Sequence, residues 1–226
     1  MLKALARVVA DAVVVAIVLF TTAGTIAWPH AWVLVSVLLI VRVVSAIVIY
    51  RANPALLEER ATVLIHRDQP LSDRVVLILF MTTAFIGVPA IAAIDVFHWH
   101  VLPGPPEIVQ NTGLFMFVAG WFVTALALRE NAFAVTVVRL QDERMHKVVD
   151  TGIYSRLRHP MYSGNPLILV GLSLWLGSYL AVFCAVLPVA LLMIRIRLEE
   201  RFLMRELPGY SDYSSRVRYR LVPGIW

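Results

Sequence analysis

Long apolar runs with almost no charge recur along this chain. Each is close to the roughly 20 residues that a helix needs to cross about 30 Å of hydrocarbon. Six are read, at residues 8–27, 31–50, 75–97, 109–128, 160–177 and 179–197. Within lipid a segment must satisfy its own backbone N–H and C=O groups, and runs that are continuously apolar do so as helices; barrel strands would alternate. The expectation is an all-α, polytopic membrane helix bundle of about six transmembrane helices. With 60% hydrophobic and 15% charged residues among 226, the chain is too apolar for a water-soluble domain. The single cysteine, Cys184, lies inside an apolar run, which excludes an intramolecular disulfide, a redox pair and a cysteine-based zinc site.

Charge placement orders the spans. Lys3 and Arg7 precede the first run as in a signal peptide, but its length and the spans that follow favour an uncleaved helix. With the N-terminus in the cytoplasm, residues 28–30, 98–107 and the turn at 177–179 lie outside and contain no Lys or Arg. Apart from Arg42, the basic residues then gather at the cytoplasmic side, at the N-terminus and in or beside 51–74, 129–159 and 198–226, which places both termini there. The net charge of +5 is thus topological and does not mark a nucleic-acid partner. The last two runs are short and share a near-absent turn, so they are expected to form one tight hairpin. The chain reads as one domain over 1–226, with a four-span bundle at 1–128 and a hairpin and cytoplasmic tail at 148–226. Arginine far outnumbers lysine, which is found only at Lys3 and Lys147, a composition that suggests a prokaryotic membrane.

Chemistry concentrates on that cytoplasmic side. Residues 151–164 form a polar loop running into a span, with Pro160 suited to a first helical turn. Arg158 and His159 would then stand at the positive end of the helix beside free backbone N–H groups, a place for a carboxylate or phosphate, or simply a headgroup anchor. Where the last span leaves the membrane lie Arg195, Arg197, Glu199, Glu200 and Arg201. Adjacent glutamates on a helix point about 100° apart, so one can bind a ligand while the other supports it. The hairpin brings this end and the Arg158-His159-Pro160 end to one membrane surface.

Taken together, Gly152-x-Tyr154, Arg158-His159-Pro160-x-Tyr162-x-Gly164, Glu199-Glu200 and Gly209-Tyr210-x-x-Tyr213 followed by Val217 and Pro223 resemble the isoprenylcysteine carboxyl methyltransferase and phospholipid methyltransferase superfamily. The resemblance covers about the last third, from Val148 onward. It implies an integral-membrane methyltransferase using S-adenosylmethionine in a cytoplasm-facing pocket built by the final hairpin and tail. Carried over by position, it implies that Tyr154, His159, Pro160, Tyr162 and Glu200 bind the cofactor, with Arg158 and Glu199 near the cofactor or reacting centre. Ile153 departs from the proline frequent there in the family. Lipid-amine, carboxylate and thiol methylation, and a distantly similar group of sterol reductases, share parts of the pattern.

Elsewhere, Arg42 sits deep in the second run, where a charge calls for a buried partner, a cavity or a headgroup. His98-Trp99-His100 reads as an interfacial aromatic anchor, not a metal site. Residues 53–60 read as a short helix capped by Asn53, either lying at the headgroups or, as the resemblance suggests, forming part of a substrate vestibule. Asp142, Glu143 and His146 fall in a loop that is either solvated or covers the cofactor. Met204, Leu207, Tyr210 and Tyr213 read as packing for the tail. The expected activity is methyl transfer from S-adenosylmethionine to a lipidic or membrane-partitioning acceptor, with no metal. The alternatives are an NADPH-dependent membrane reductase of the sterol-reductase type and a non-catalytic transporter or scaffold.

Overall fold

Prolines open the helices of this protein and glycines close several of them. Pro29, Pro54 and Pro160 each occupy a first turn, where the missing N–H removes no bond. Gly24 and Gly177, both left-handed, end helices by donating back to the preceding turn. The structure is a computed structural model and describes residues 1–62, 69–141 and 144–226. It contains α1 (Leu2–Ala23), α2 (Pro29–Ala52), α3 (Pro54–Thr62), α4 (Leu71–Trp99), α5 (Glu107–Glu130), α6 (Pro160–Leu176), α7 (Tyr179–Glu206) and α8 (Tyr210–Arg216). The chain is all-helical among the described residues. Five helices, α1, α2, α4, α5 and α7, are long and apolar enough to cross a membrane, and the protein is an integral membrane protein. The sixth expected span is α6, which at 17 residues is about 26 Å long.

Two π-helical turns, Thr83–Gly87 and Asp95–Trp99, interrupt α4. The first widens the helix just ahead of Pro89, whose ring would otherwise crowd the carbonyl four residues back. The α6–α7 hairpin is as tight as expected, with the Ser178 hydroxyl accepting from Ala181 N–H and donating to Asp95 at 2.6 Å. Its second arm is not short, however, because α7 continues as helix to Glu206.

The antiparallel pair α5 and α6 forms the closest seam. Gly113 and Gly120 of α5 face Gly171 and Gly164 of α6 so closely that a Cβ on Gly120 would lie 2.6 Å from the Gly164 carbonyl. A Cβ on Gly171 would lie 2.5 Å from Phe117 N. Such small-residue contacts let backbones meet where lipid offers no hydrophobic drive between helices. The apolar core runs from Leu19, Leu34 and Phe80 through Phe117 to Leu172 and Leu192.

Arg42 has a carboxylate partner, both side chains being half-buried. Its Nη2 lies 2.8 Å from Asp11 on α1, its guanidinium stands 4.8 Å over the Trp121 ring, and Arg7 also reaches Asp11 at 2.9 Å. The α3 helix packs on the bundle through Leu56 and Leu57, which are buried against Ala4, Ala46, Ile49 and Leu128. One expectation about the 53–60 segment is corrected. Asn53 instead spends its amide on the end of another helix, donating to the Leu128 and Arg129 carbonyls at 3.3 and 2.6 Å. In the His98-Trp99-His100 segment, His98 places Nε2 2.9 Å from the Thr22 carbonyl.

Candidate active site

At the end of the bundle where α5 stops, α6 starts and α7 passes, a cleft is walled by the 131–139 segment, residues 146–149, α6, α7 and α8. It holds about 750 Å³ of empty space counted with its open mouth, of which only about 90 Å³ is deep enough to seat the centre of a water molecule. Tyr154, Arg158, His159, Tyr162 and Glu199 line it together with Phe133, Tyr210 and Tyr213. The polar end of the hairpin and the tail therefore converge as the sequence suggests.

Glu199 and Glu200 divide along the helix turn that separates them. Glu199 faces the cleft and accepts a hydrogen bond from the Tyr162 hydroxyl at 2.8 Å. Glu200 points away into a buried cluster, with Arg158 Nη1 at 3.1 Å, His159 Nε2 at 3.3 Å and Arg220 Nε at 2.7 Å. The side chains of Glu200, Arg158 and His159 are about 5% exposed, so three neighbours satisfy an anion that water cannot reach. Neither Glu200 nor Pro160 lines the cleft; Pro160 is buried at the start of α6.

The start of α6 is not an open anion site. Its approach is occupied by the tail, since the backbone N–H groups of Arg158 and His159 donate to the Tyr219 and Arg220 carbonyls, each at 2.9 Å. Ser163 Oγ adds a bond to the Leu221 carbonyl at 2.7 Å. The sequence showed the helix start but not the tail segment that comes back to cover it. What remains for a ligand is side-chain chemistry. Arg158 Nε and the Tyr210 hydroxyl are buried and have no hydrogen-bond partner among the described residues, although both residues line the cleft.

Burial raises the phenols of Tyr154, Tyr210 and Tyr213 above their ordinary range, so each stays a neutral O–H at physiological pH. Tyr213 uses its hydroxyl to hold the Tyr154 carbonyl at 2.8 Å, fixing the Gly152–Ser155 turn. On the far side, Arg195 bonds Asp73 at 2.9 Å and the Thr136 carbonyl, and stacks 5.7 Å from Tyr162. Asp73 also accepts from Gln69 and Val138 N–H, so this pair pins the 131–139 wall to α4 and α7. Of the loop residues Asp142, Glu143 and His146, the first two lie outside the described residues. His146 packs on Phe133 with ring centroids 4.7 Å apart and lines the cleft. Tyr210 and Tyr213 pack with Leu207 and Val217 as expected of the tail, yet they also face the cleft. Among the described residues, no cluster of histidine, cysteine and carboxylates suits a metal ion.

The chain is an intramembrane helical bundle with a polar cleft at one end, and comparison with known proteins shows what it is similar to. Residues 109–208 match the phospholipid methyltransferase family. The match begins upstream of the motif-bearing stretch and ends before the tail. A rice protein named "Probable protein-S-isoprenylcysteine O-methyltransferase" is 30% identical over 112 residues, covering 48% of this chain and 59% of that one. The nickel-cobalt-cadmium resistance protein NccN of Alcaligenes xylosoxydans xylosoxydans is 29% identical over 133 residues, 53% of this chain and 60% of that one. The chain thus spans about three-fifths of the length of these curated relatives. A solved eukaryotic intramembrane Ras methyltransferase, an isoprenylcysteine carboxyl methyltransferase, shares the fold with a TM-score of 0.54 over 94% of this chain and 73% of that one, at 22% identity. The chain is thus similar to the phospholipid methyltransferase family and to isoprenylcysteine methyltransferases over somewhat under half of its length, and it shares the fold of a solved member of the latter.

Proposed function

We propose that this protein is a methyltransferase that uses S-adenosylmethionine to methylate a lipidic or membrane-partitioning acceptor at the cytoplasmic membrane face. Both termini lie on that face in this reading, residues 1–128 serve the acceptor, and residues 148–226 serve the cofactor in a prokaryotic membrane. The observation that carries it is the cleft itself, lined by Glu199, Arg158 and Tyr210, with Arg158 Nε and the Tyr210 hydroxyl buried and without a hydrogen-bond partner among the described residues.

This donor and acceptor set fits the cofactor's zwitterionic end. Arg158 and Tyr210 suit a carboxylate, and Glu199 suits an ammonium group or ribose hydroxyls. The cofactor, when bound, supplies a methyl group on a positively charged sulfur. Tyr154, Tyr162, Tyr210 and Phe133 present ring faces that favour a cation, and their neutral state matters because an ionised phenol would compete for the methyl group. Val135, Val137, Val138 and Leu203 line the rest of the cleft and exclude water. Transfer from a sulfonium disperses charge, so alignment outweighs acid or base strength. A neutral amine acceptor would need one base, and Glu199 is the carboxylate placed to take its proton.

Purified protein in detergent is titrated with S-adenosylmethionine, S-adenosylhomocysteine and NADPH by calorimetry. Saturable binding of the two adenosyl compounds, but not of NADPH, is expected. NADPH binding alone would move the cleft to the reductase chemistry, and binding of none would remove the cofactor assignment.

A further inference from the structure

Arg195 and Glu199 stand four residues apart on α7, the spacing at which side chains of opposite charge meet on one helix face and can pair. They do not pair here. Arg195 gives Nε to Asp73 at 2.9 Å and Nη2 to the Thr136 carbonyl, while Glu199 takes the Tyr162 hydroxyl at 2.8 Å. The Arg195 guanidinium stands 5.7 Å from the centre of the Tyr162 ring, and Glu199 is within its electrostatic reach. A cation therefore lies one tyrosine ring away from the carboxylate that lines the cleft and leaves it unpaired.

What holds that cation away comes from another helix. Asp73, in the first turn of α4, is 1% exposed and Arg195 3%, so water competes for neither charge. Gln69 adds a bond to the same carboxylate from Nε2 at 2.6 Å, and Val138 N–H lies 3.4 Å from it. Gln69 does this at some cost, because its own Oε1 is left buried with no hydrogen-bond partner among the described residues. A buried amide that orphans its acceptor in order to brace a carboxylate marks the orientation of that carboxylate as important. Residue 73 lies upstream of the 109–208 stretch that matches the phospholipid methyltransferase family, whereas Arg195 and Glu199 lie within it.

We infer that Asp73 is a positioning residue of the cleft: by binding Arg195 it keeps that cation from closing the local pair with Glu199, and so leaves the Glu199 carboxylate open to a ligand's N–H and O–H donors. Asp73 does not line the cleft and acts through Arg195. That the ligand is S-adenosylmethionine rests on the methyltransferase reading; the ordering of the charges does not.

The test reads S-adenosylhomocysteine affinity by calorimetry and melting temperature by scanning fluorimetry, on the full chain in detergent. In Asp73→Asn, Arg195 turns to Glu199, and affinity should fall about tenfold, the loss of one charge-assisted hydrogen bond. Adding Glu199→Gln to that variant should weaken binding no further, because the carboxylate is already taken, whereas independent losses would multiply to about a hundredfold. Adding Arg195→Gln instead should restore affinity to within about twofold, since Asn and Gln keep a hydrogen bond without the charges. A purely structural role for Asp73 would give neither result. Native affinity in Asp73→Asn, losses that multiply, or an Asp73→Asn/Arg195→Gln protein that still binds about tenfold more weakly would each overturn the inference. The last of these outcomes does not require that Asp73→Asn fold alone.

Melting temperature reads the same redistribution without ligand. Glu199→Gln should shift the native protein by less than about 1 °C and lower Asp73→Asn by about 2–4 °C, as expected of one ion pair. An equal shift in both backgrounds overturns the inference. Failure of the native protein to bind S-adenosylhomocysteine would instead sink the methyltransferase reading and leave the thermal comparison to decide the role of Asp73.

Discussion

The glycine seam between α5 and α6 sets up a contrast in which the same substitution acts in opposite directions at two places. At Gly164 a new Cβ would meet the Gly120 carbonyl and the Thr124 hydroxyl, the latter at 2.5 Å. The carbonyl belongs to helix backbone and cannot rotate away, so the two helices must separate until this contact, shorter still than the one to Thr124, reaches the 3.4 Å of ordinary packing. Overpacking of this kind costs about 1–3 kcal/mol. Alanine returns up to about 1 kcal/mol through helix propensity, so Gly164→Ala is expected to lose a net ~1–2 kcal/mol, roughly 2–8 °C in melting temperature. Gly87, in the π-helical turn of α4, has no neighbour closer than 3.7 Å to the place its Cβ would take, so Gly87→Ala should gain about 0.5–1 kcal/mol. Differential scanning fluorimetry in detergent compares the two. The functional reading is sharper, because Gly164 lies four residues after Pro160. Displacing α6 by most of an ångström disturbs the 3.1 and 3.3 Å contacts that Arg158 and His159 make with Glu200, so affinity for S-adenosylhomocysteine should fall as well. A Gly164→Ala protein as stable and as tight-binding as the parent, or a Gly87→Ala protein equally damaged, would refute the reasoning.

The remaining expectations separate contact from support. Glu200→Gln removes the anion shared by Arg158, His159 and Arg220 and should cost about 3 kcal/mol, seen as a lower melting temperature. Glu199→Gln should leave stability within about 1 kcal/mol and weaken S-adenosylhomocysteine about tenfold; reversal of the two effects would exchange their roles. Tyr210→Phe deletes a buried hydroxyl with no partner, so the ligand-free protein should be as stable or slightly more so while cofactor affinity drops about tenfold. Loss of stability with unchanged affinity would show the hydroxyl to be structural. In a double-mutant cycle, Arg42→Met and Asp11→Leu should each destabilise alone and couple by about 1–3 kcal/mol, with part of the loss recovered in the pair. Strict additivity would show that the ion pair at 2.8 Å contributes nothing.

The apolar runs were legible because lipid permits few solutions for them, and each of the six has its helix, five of them long and apolar enough to cross a membrane. What sequence reading missed depended on pairing across helices. Asp11 precedes Gly24 by thirteen residues and Arg42 follows Pro29 by thirteen, so an antiparallel hairpin sets them at one depth; counting from the turn would have found Arg42 its partner. Likewise Gly113 and Gly120, and Gly164 and Gly171, repeat at seven residues, a spacing that marks one helix face. By contrast, nothing local announces that Leu56 and Leu57 turn inward, that Arg220 returns to Glu200, or that the tail covers the start of α6. Those are consequences of how the last residues fold back.

The return of the tail explains why two adjacent glutamates have different tasks. A helix turns about 100° between neighbours, so α7 cannot present both carboxylates to one ligand. With Glu199 facing the cleft, Glu200 faces the seam where α6 and the tail meet, and there it gathers Arg158, His159 and Arg220. Arg158 gives Nη1 to Glu200 and Nη2 to the Arg218 carbonyl at 3.3 Å. Its remaining edge, Nε, is thereby held still and unpaired at the cleft. An arginine fixed at both ends of its fork has little rotamer entropy left to lose on binding an anion. On this geometry the buried cluster works by presenting one N–H in a set direction, and neutralising Glu200 should weaken cofactor binding through Arg158 even though Glu200 does not line the cleft.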